Sequence, residues 1–179
     1  MNKTVKYLGV LSIACLLGLL YSSCVKKENY SIIPAITYNN FQAFCSGVKT
    51  DSAYLRVNFT DGDGDIGYPQ ADPSAPSDFY ILPLIYNTTT GKYDTLKVLT
   101  TSGDSVITYN YRIPYITPSG TNKALNGIIQ INLENLIQYL GNYTLPQHNT
   151  YQLQFGVWIY DRAGHKSNVL TTPTVYACH

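Results

Sequence analysis

The chain has 179 residues, 13% of them charged, and a formal net charge of +1 at pH 7. That length suits one domain with a core of its own. The balanced charge leaves no basic patch of the kind that binds nucleic acid, so no nucleic-acid partner is expected.

Lys3 and Lys6 precede an apolar run from Tyr7 to Tyr21, which leads into Ser22, Ser23 and Cys24. As a helix this run spans only about 22 Å, against a hydrocarbon core of ~30 Å. Residues 1–23 therefore read as a secretory signal rather than a membrane span. Small residues directly before a cysteine resemble a bacterial lipobox, in which Cys24 is lipidated and becomes the first residue of the mature protein; Tyr21 stands where that motif usually has Leu. A lipid on Cys24 makes the membrane a partner through the anchor alone. Residues 24–36 then read as a tether, polar at Lys26, Lys27 and Glu28 and kept irregular by Pro34.

From residue 37 to residue 179 the pattern has period two. In "SAYLRVNFT" Leu55, Val57 and Phe59 share one face. In "YQLQFGVWIYD" Tyr151, Leu153, Phe155, Val157 and Ile159 do the same. Alternation of this kind predicts strands with one buried face. Further strands are expected over 37–45, 79–87, 93–99, 105–112, 126–132 and 168–177. "NTTTGKYD" reads as a hairpin turn, and Pro83 and Pro173 push their strands toward edges or bulges. Leu133, Leu136, Ile137 and Leu140 follow helical spacing, with Asn132 as cap and Gly141 as stop, which predicts one short helix. Seven or eight short strands make the expected fold an all-β, immunoglobulin-like sandwich.

Cys15 leaves with the signal and Cys24 takes the lipid. Cys45 and Cys178 remain, one near each end of the domain. In an oxidising compartment they read either as a disulfide or as two separately buried thiols. The first and last strands of a sandwich commonly lie near each other, so a Cys45–Cys178 bridge is the expectation.

"FTDGDGDIGYP" places Asp61, Asp63 and Asp65 at alternate positions between glycines. On a straight strand their side chains lie ~6.6 Å apart, whereas oxygens on one calcium ion lie at most about 5 Å apart. Gly62, Gly64 and Gly67 allow the chain to curl. The pattern resembles the acidic half of an EF-hand loop, with Asp72 at its twelfth position, but Ile66 stands where that loop has Gly. Asp161, directly after a strand in "YDRAGHKSN", is a fourth ligand if both loops lie at one end. That requires 93–99 and 105–112 to act as one ribbon, or one of them to be irregular. The two readings are a Ca²⁺ site at Asp61, Asp63, Asp65 and Asp161, and a solvated turn.

No metalloprotease, nucleophile-elbow, phosphate-loop or CxxC motif occurs. His148 and His179 sit in no motif, and His165 reads as a turn residue. A hydrolase would have to assemble itself from the aspartates alone, so no catalytic residue is assigned. Seventeen tyrosines and one tryptophan favour binding, with Tyr54, Trp158 and Tyr160 on outward-facing positions where rings stack on sugars or anchor a partner. The simpler reading of the same rings is cover for the second sheet or the tether. "DSA", "DTL" and "DSV" resemble the O-glycosylation signal of Bacteroidota, with Ser52, Thr95 and Ser105 as acceptors.

Taken together, the lipobox followed by "KKENY", "FTDGDGDIG", "YRIPYITPSGTNKALNG" and "YDRAGHKSNVLTTP" resembles a group of small envelope lipoproteins of Bacteroidota. The resemblance covers nearly the whole chain and implies an immunoglobulin-like sandwich on the cell envelope, with no activity attached. The expected role is a non-catalytic lipoprotein of the outer membrane, on its periplasmic or surface side, acting as a binding or structural subunit. The alternative is a glycan-binding accessory of a nutrient-uptake system.

Overall fold

The computed structural model describes residues 29–46, 49–101, 103–116, 118, 120–133 and 150–178. The signal segment, Cys24, the helix expected beyond Leu133, His148 and His179 lie outside these residues.

The described residues are all-β and pack as two antiparallel sheets. The first contains β1 (Ala35–Ser46), β2 (Lys49–Asp61) and β8 (Leu125–Asn132), in the order β1-β2-β8. The second is built on β3 (Phe79–Asn87) and β9 (Thr150–Ile159). On one flank of β9 lie β10 (Leu170–Thr171) and β11 (Val175–Cys178); on the far flank of β3 lie β4 (Lys92–Thr95) and β7 (Tyr109–Tyr111). A hairpin of β5 (Lys97–Thr100) and β6 (Gly103–Val106) pairs only with itself. This is the immunoglobulin-like arrangement expected from the alternation.

Eight predicted strands become eleven because three of them break in two. The segments 93–99 and 105–112 divide into β4 and β5 and into β6 and β7, and together form one ribbon that leaves the flank of β3 and returns to it. Pro83 marks the break. It was expected to push β3 toward an edge or a bulge; β3 is paired on both sides, with its partner on one flank changing at Pro83. Its missing N–H falls where β4 and β7 part, and its carbonyl accepts the Leu96 N–H at 3.0 Å, so the ladder loses nothing. Pro173 likewise splits the last strand, and there Thr172 exchanges bonds with Phe155: its N–H donates to the Phe155 carbonyl and its Oγ1 accepts the Phe155 N–H, each at 3.0 Å.

The core lies between the sheets. Leu55 and Val57 of β2 face Phe79, Ile81, Leu153 and Phe155 of the other sheet, all fully buried. Phe41 reaches across from β1 to pack its ring 5.7 Å from that of Phe155. The two sheets are also joined covalently, because Cys45 at the end of β1 and Cys178 at the end of β11 form a disulfide with Cα atoms 6.0 Å apart.

Candidate metal centre

Strand parity builds the site. Inward positions of β2 run Ala53, Leu55, Val57 and Phe59, and the next is Asp61, which is 0% exposed. Inward positions of β9 run Tyr151 to Ile159, and the next is Asp161, 1% exposed. Each sheet thus ends its apolar inner face in a carboxylate at the same pole of the sandwich. The third carboxylate comes from the loop after β2. That loop curls through Gly64 at φ 73°, and the Asp65 N–H donates to Asp61 Oδ2 at 3.0 Å. One oxygen from each of Asp61, Asp65 and Asp161 lies within 4.8 Å of the others.

The curl leaves no room for a larger residue. A Cβ on Gly64 would stand 2.3 Å from the Lys123 carbonyl oxygen, and one on Gly62 would stand 2.4 Å from that of Tyr30. The sequence "DGDGDIG" is therefore glycine-rich because neighbouring backbone packs directly on it.

The turn after β9 holds the other half. The Asp161 carboxylate accepts the His165 N–H at 2.7 Å on Oδ1 and lies 2.8 Å from His165 Nδ1 through Oδ2. Asp65 Oδ2 accepts the Ala163 N–H at 3.0 Å, and the Arg162 N–H donates to the Asp65 carbonyl at 3.1 Å. The Arg162 guanidinium then donates to the carbonyls of Ile66 at 2.9 Å and Gly67 at 2.8 Å. Arg162 thus fastens one loop to the other without taking the triad's oxygens.

Two oxygens are left over. Asp61 Oδ1 and Asp65 Oδ1 are buried and have no hydrogen-bond partner among the described residues. Burial pushes the Asp61 carboxyl up to about 6, and the neighbouring charges of Asp63 and Asp65 push the same way against the Asp65 N–H bond. Asp65 is also raised, by burial first and then by the charges of Asp161 and Asp63. A buried carboxylate oxygen without a partner is costly. A cation among the three carboxylates could satisfy both orphaned oxygens. An oxygen-only donor set of carboxylates suits a hard divalent ion rather than a thiolate- or imidazole-seeking one. The triad could therefore hold a metal ion.

No protein-family model matches the chain, and no curated protein matches it either.

The other expected site residues fall differently. Asp63 is exposed and stands outside the triad: the curl at Gly64 breaks the alternation that would have put it on the face of Asp61 and Asp65. Asp72 is exposed as well, and its Oδ1 accepts the Ser74 N–H at 2.9 Å, which makes it a turn-former with no part in the EF-hand likeness. Ser52 and Thr95 are half-buried in β2 and β4, and Ser105 is exposed on the free ribbon. On the outer face of the second sheet, Trp158 stacks on Tyr80 with centroids 5.5 Å apart and planes 1° apart. Tyr160 meets Tyr80 edge-on at 5.7 Å, and Lys166 Nζ lies 4.7 Å from the centre of the Trp158 ring. Tyr54 bonds to Gln42 and has the Arg56 guanidinium 4.4 Å over its ring.

Sequence reasoning missed Arg162, the His165–Asp161 pairing and Asp78. Asp78 is 0% exposed, its Oδ1 accepts the Ile113 N–H at 2.7 Å, and burial raises its carboxyl to about 6. The i, i+4 spacing of Asp161 and His165 was a readable signal. Nothing in the sequence marks Asp78.

Proposed function

We propose that this chain is a non-catalytic, lipid-anchored envelope domain whose two sheets are clasped by calcium at the acidic pole. The observation that carries the reading is the pair of buried, unpartnered oxygens on Asp61 and Asp65, within a triad that draws one ligand from each sheet. Calcium fits better than magnesium. It tolerates irregular oxygen cages and bonds of 2.3–2.6 Å, roughly half the 4.8 Å that encloses the three oxygens, whereas magnesium demands a near-ideal octahedron with several waters kept.

A calcium titration of the thermal midpoint tests this. At a calcium concentration of about 100 Kd, linkage gives ~2.7 kcal/mol, a rise of roughly 5–10 °C for a domain of this size. Asp161→Asn should abolish the rise. Identical melts in calcium and in chelator would refute the clasp. The anchor has its own test, since Cys24→Ala should move the protein from the membrane fraction to the soluble one.

The glycan-binding alternative has less behind it. The parallel Tyr80 and Trp158 rings on the outer face favour it, but they are stacked on each other. Tyr80, on β3, takes one flank of Trp158, and Lys166, in the connection on the opposite flank of β9, sits over the same ring. A hydrolase has less still. The Asp161–His165 pair has the form of an acid–base pair, yet both oxygens of Asp161 serve the turn and no Ser, Thr or Cys side chain bonds to His165 among the described contacts.

A further inference from the structure

The acidic pole is also where the tether enters. Ala35, the first residue of β1, pairs with Thr60 at the end of β2, one residue before Asp61. Tyr30 and Ser31 lie directly over Gly62. The entry is stitched down on two sides. Asn168 accepts the Ile36 N–H at 2.8 Å and donates to the Ile36 carbonyl at 3.0 Å, and the Tyr30 hydroxyl accepts from Asn126 at 2.9 Å.

Nine large apolar residues are exposed among the described ones, and five of them belong to this pole. Ile32 and Ile33 flank the tether entry, 55% and 50% exposed. Tyr115 and Ile116 follow Pro114, which bridges to Tyr68 at the end of the acidic loop. Val169 follows the Asn168 that holds Ile36. Tyr115 is tied to the site itself, because the Arg162 guanidinium lies 4.6 Å over its ring.

The chain outside the described residues says what this crown meets. Five residues separate Cys24 from Tyr30, and the six Cα-to-Cα steps, fully extended, reach about 20 Å. A lipid on Cys24 therefore holds the acidic pole within about 20 Å of the bilayer, closer than the disulfide pole at the far end of the sandwich. Apolar side chains held there enter the headgroup boundary as those of interfacial anchors do, and Lys26 and Lys27 of the tether favour anionic headgroups. We propose that Ile32, Ile33, Tyr115, Ile116 and Val169 form a membrane-docking crown that seats the calcium pole on the lipid surface and fixes the domain's orientation. The proposal rests on the lipid-anchor reading above.

The test uses the full mature protein in vesicles of phosphatidylethanolamine and phosphatidylglycerol, read by hydrogen exchange. The amides of Tyr115 and Ile116 serve as the reporter, because no variant used alters them. In wild-type protein they should exchange several-fold more slowly than in Cys24→Ala protein mixed with the same vesicles. Ile32→Asp/Ile33→Asp should lose most of that protection while still floating with the vesicles. Tyr176→Asp, at the opposite pole and 58% exposed, should keep it. If wild-type protein floats but its Tyr115 and Ile116 amides exchange as fast as in Cys24→Ala, the docking crown is overturned and the anchor stands. If wild-type protein carries no lipid on Cys24 and does not float, the anchor reading is overturned and the crown falls with it.

Discussion

The two poles of the sandwich fasten the same two sheets by different chemistry. At one pole β1 and β11 are joined by the Cys45–Cys178 bridge. At the other, Asp61 ends β2 and Asp161 lies two residues past the end of β9, and one oxygen of each stands within 4.8 Å of the other and of one from Asp65. The first joint is covalent and holds in any oxidising medium. The second gathers like charges that protons or a cation could neutralise. On the proposed clasp, stability is fixed at one end and conditional at the other, and the conditional end is the one where the tether enters.

Cutting the covalent joint should have the largest effect. The bridge spans 133 residues, and the chain-entropy model gives about 5 kcal/mol for a loop of that length. Cys45→Ala/Cys178→Ala should therefore lower the thermal midpoint by roughly 10–20 °C, whether or not calcium is present. A midpoint unchanged in the double variant would show that the disulfide pole carries no load.

The conditional joint should show its character in pH. Asp61 and Asp78 both have carboxyls raised to about 6 by burial. A raised acid binds its proton more tightly in the folded state. Its stabilising effect is complete below the unfolded value near 4 and is lost as pH rises through about 6. In chelator, the midpoint should fall between pH 4 and pH 7 relative to an Asp61→Asn/Asp78→Asn protein measured in parallel. In calcium the Asp61 share of that fall should vanish, since the ion takes the place of the proton, and the Asp78 share should remain. Parallel curves for wild type and double variant in chelator would break the argument.

The smallest effect belongs to Asp63. It is exposed, and it acts on the triad only through its charge, raising both Asp61 and Asp65. Asp63→Asn should shift the calcium-bound midpoint by no more than about 1–2 °C, within the usual range for a surface change. A loss as large as that of Asp161→Asn would place Asp63 among the ligands after all.

These differences follow what a sequence can carry. Alternation in 52–60 and 151–161 shows β2 and β9 plainly, and continued by one step it places Asp61 and Asp161 inward. The ribbon of β4 to β7 was needed to bring both aspartates to one pole, and its two halves were legible as strands. Their shared departure from β3 was not, because it depends on which neighbour tolerates the missing N–H of Pro83. Asp63 and Asp65 look equivalent in "DGDGD". What separates them is the curl at Gly64, which depends on the backbone of Lys123 standing 2.3 Å from where a Cβ would be. No local pattern encodes a contact made across 59 residues. Asp78 and Arg162 were missed for the same reason, since their partners are backbone groups far along the chain.

The contrast between the poles depends on the acidic one being closed by a bound cation. Asp61→Asn tests it most directly, because the prediction changes sign. In chelator at pH 7.5 the substitution removes a buried charge and keeps an acceptor for the Asp65 N–H, so the midpoint should rise by a few degrees. In calcium it removes a ligand, so the midpoint should fall below that of wild type under the same conditions. A fall in both media, or a rise in both, would contradict the claim.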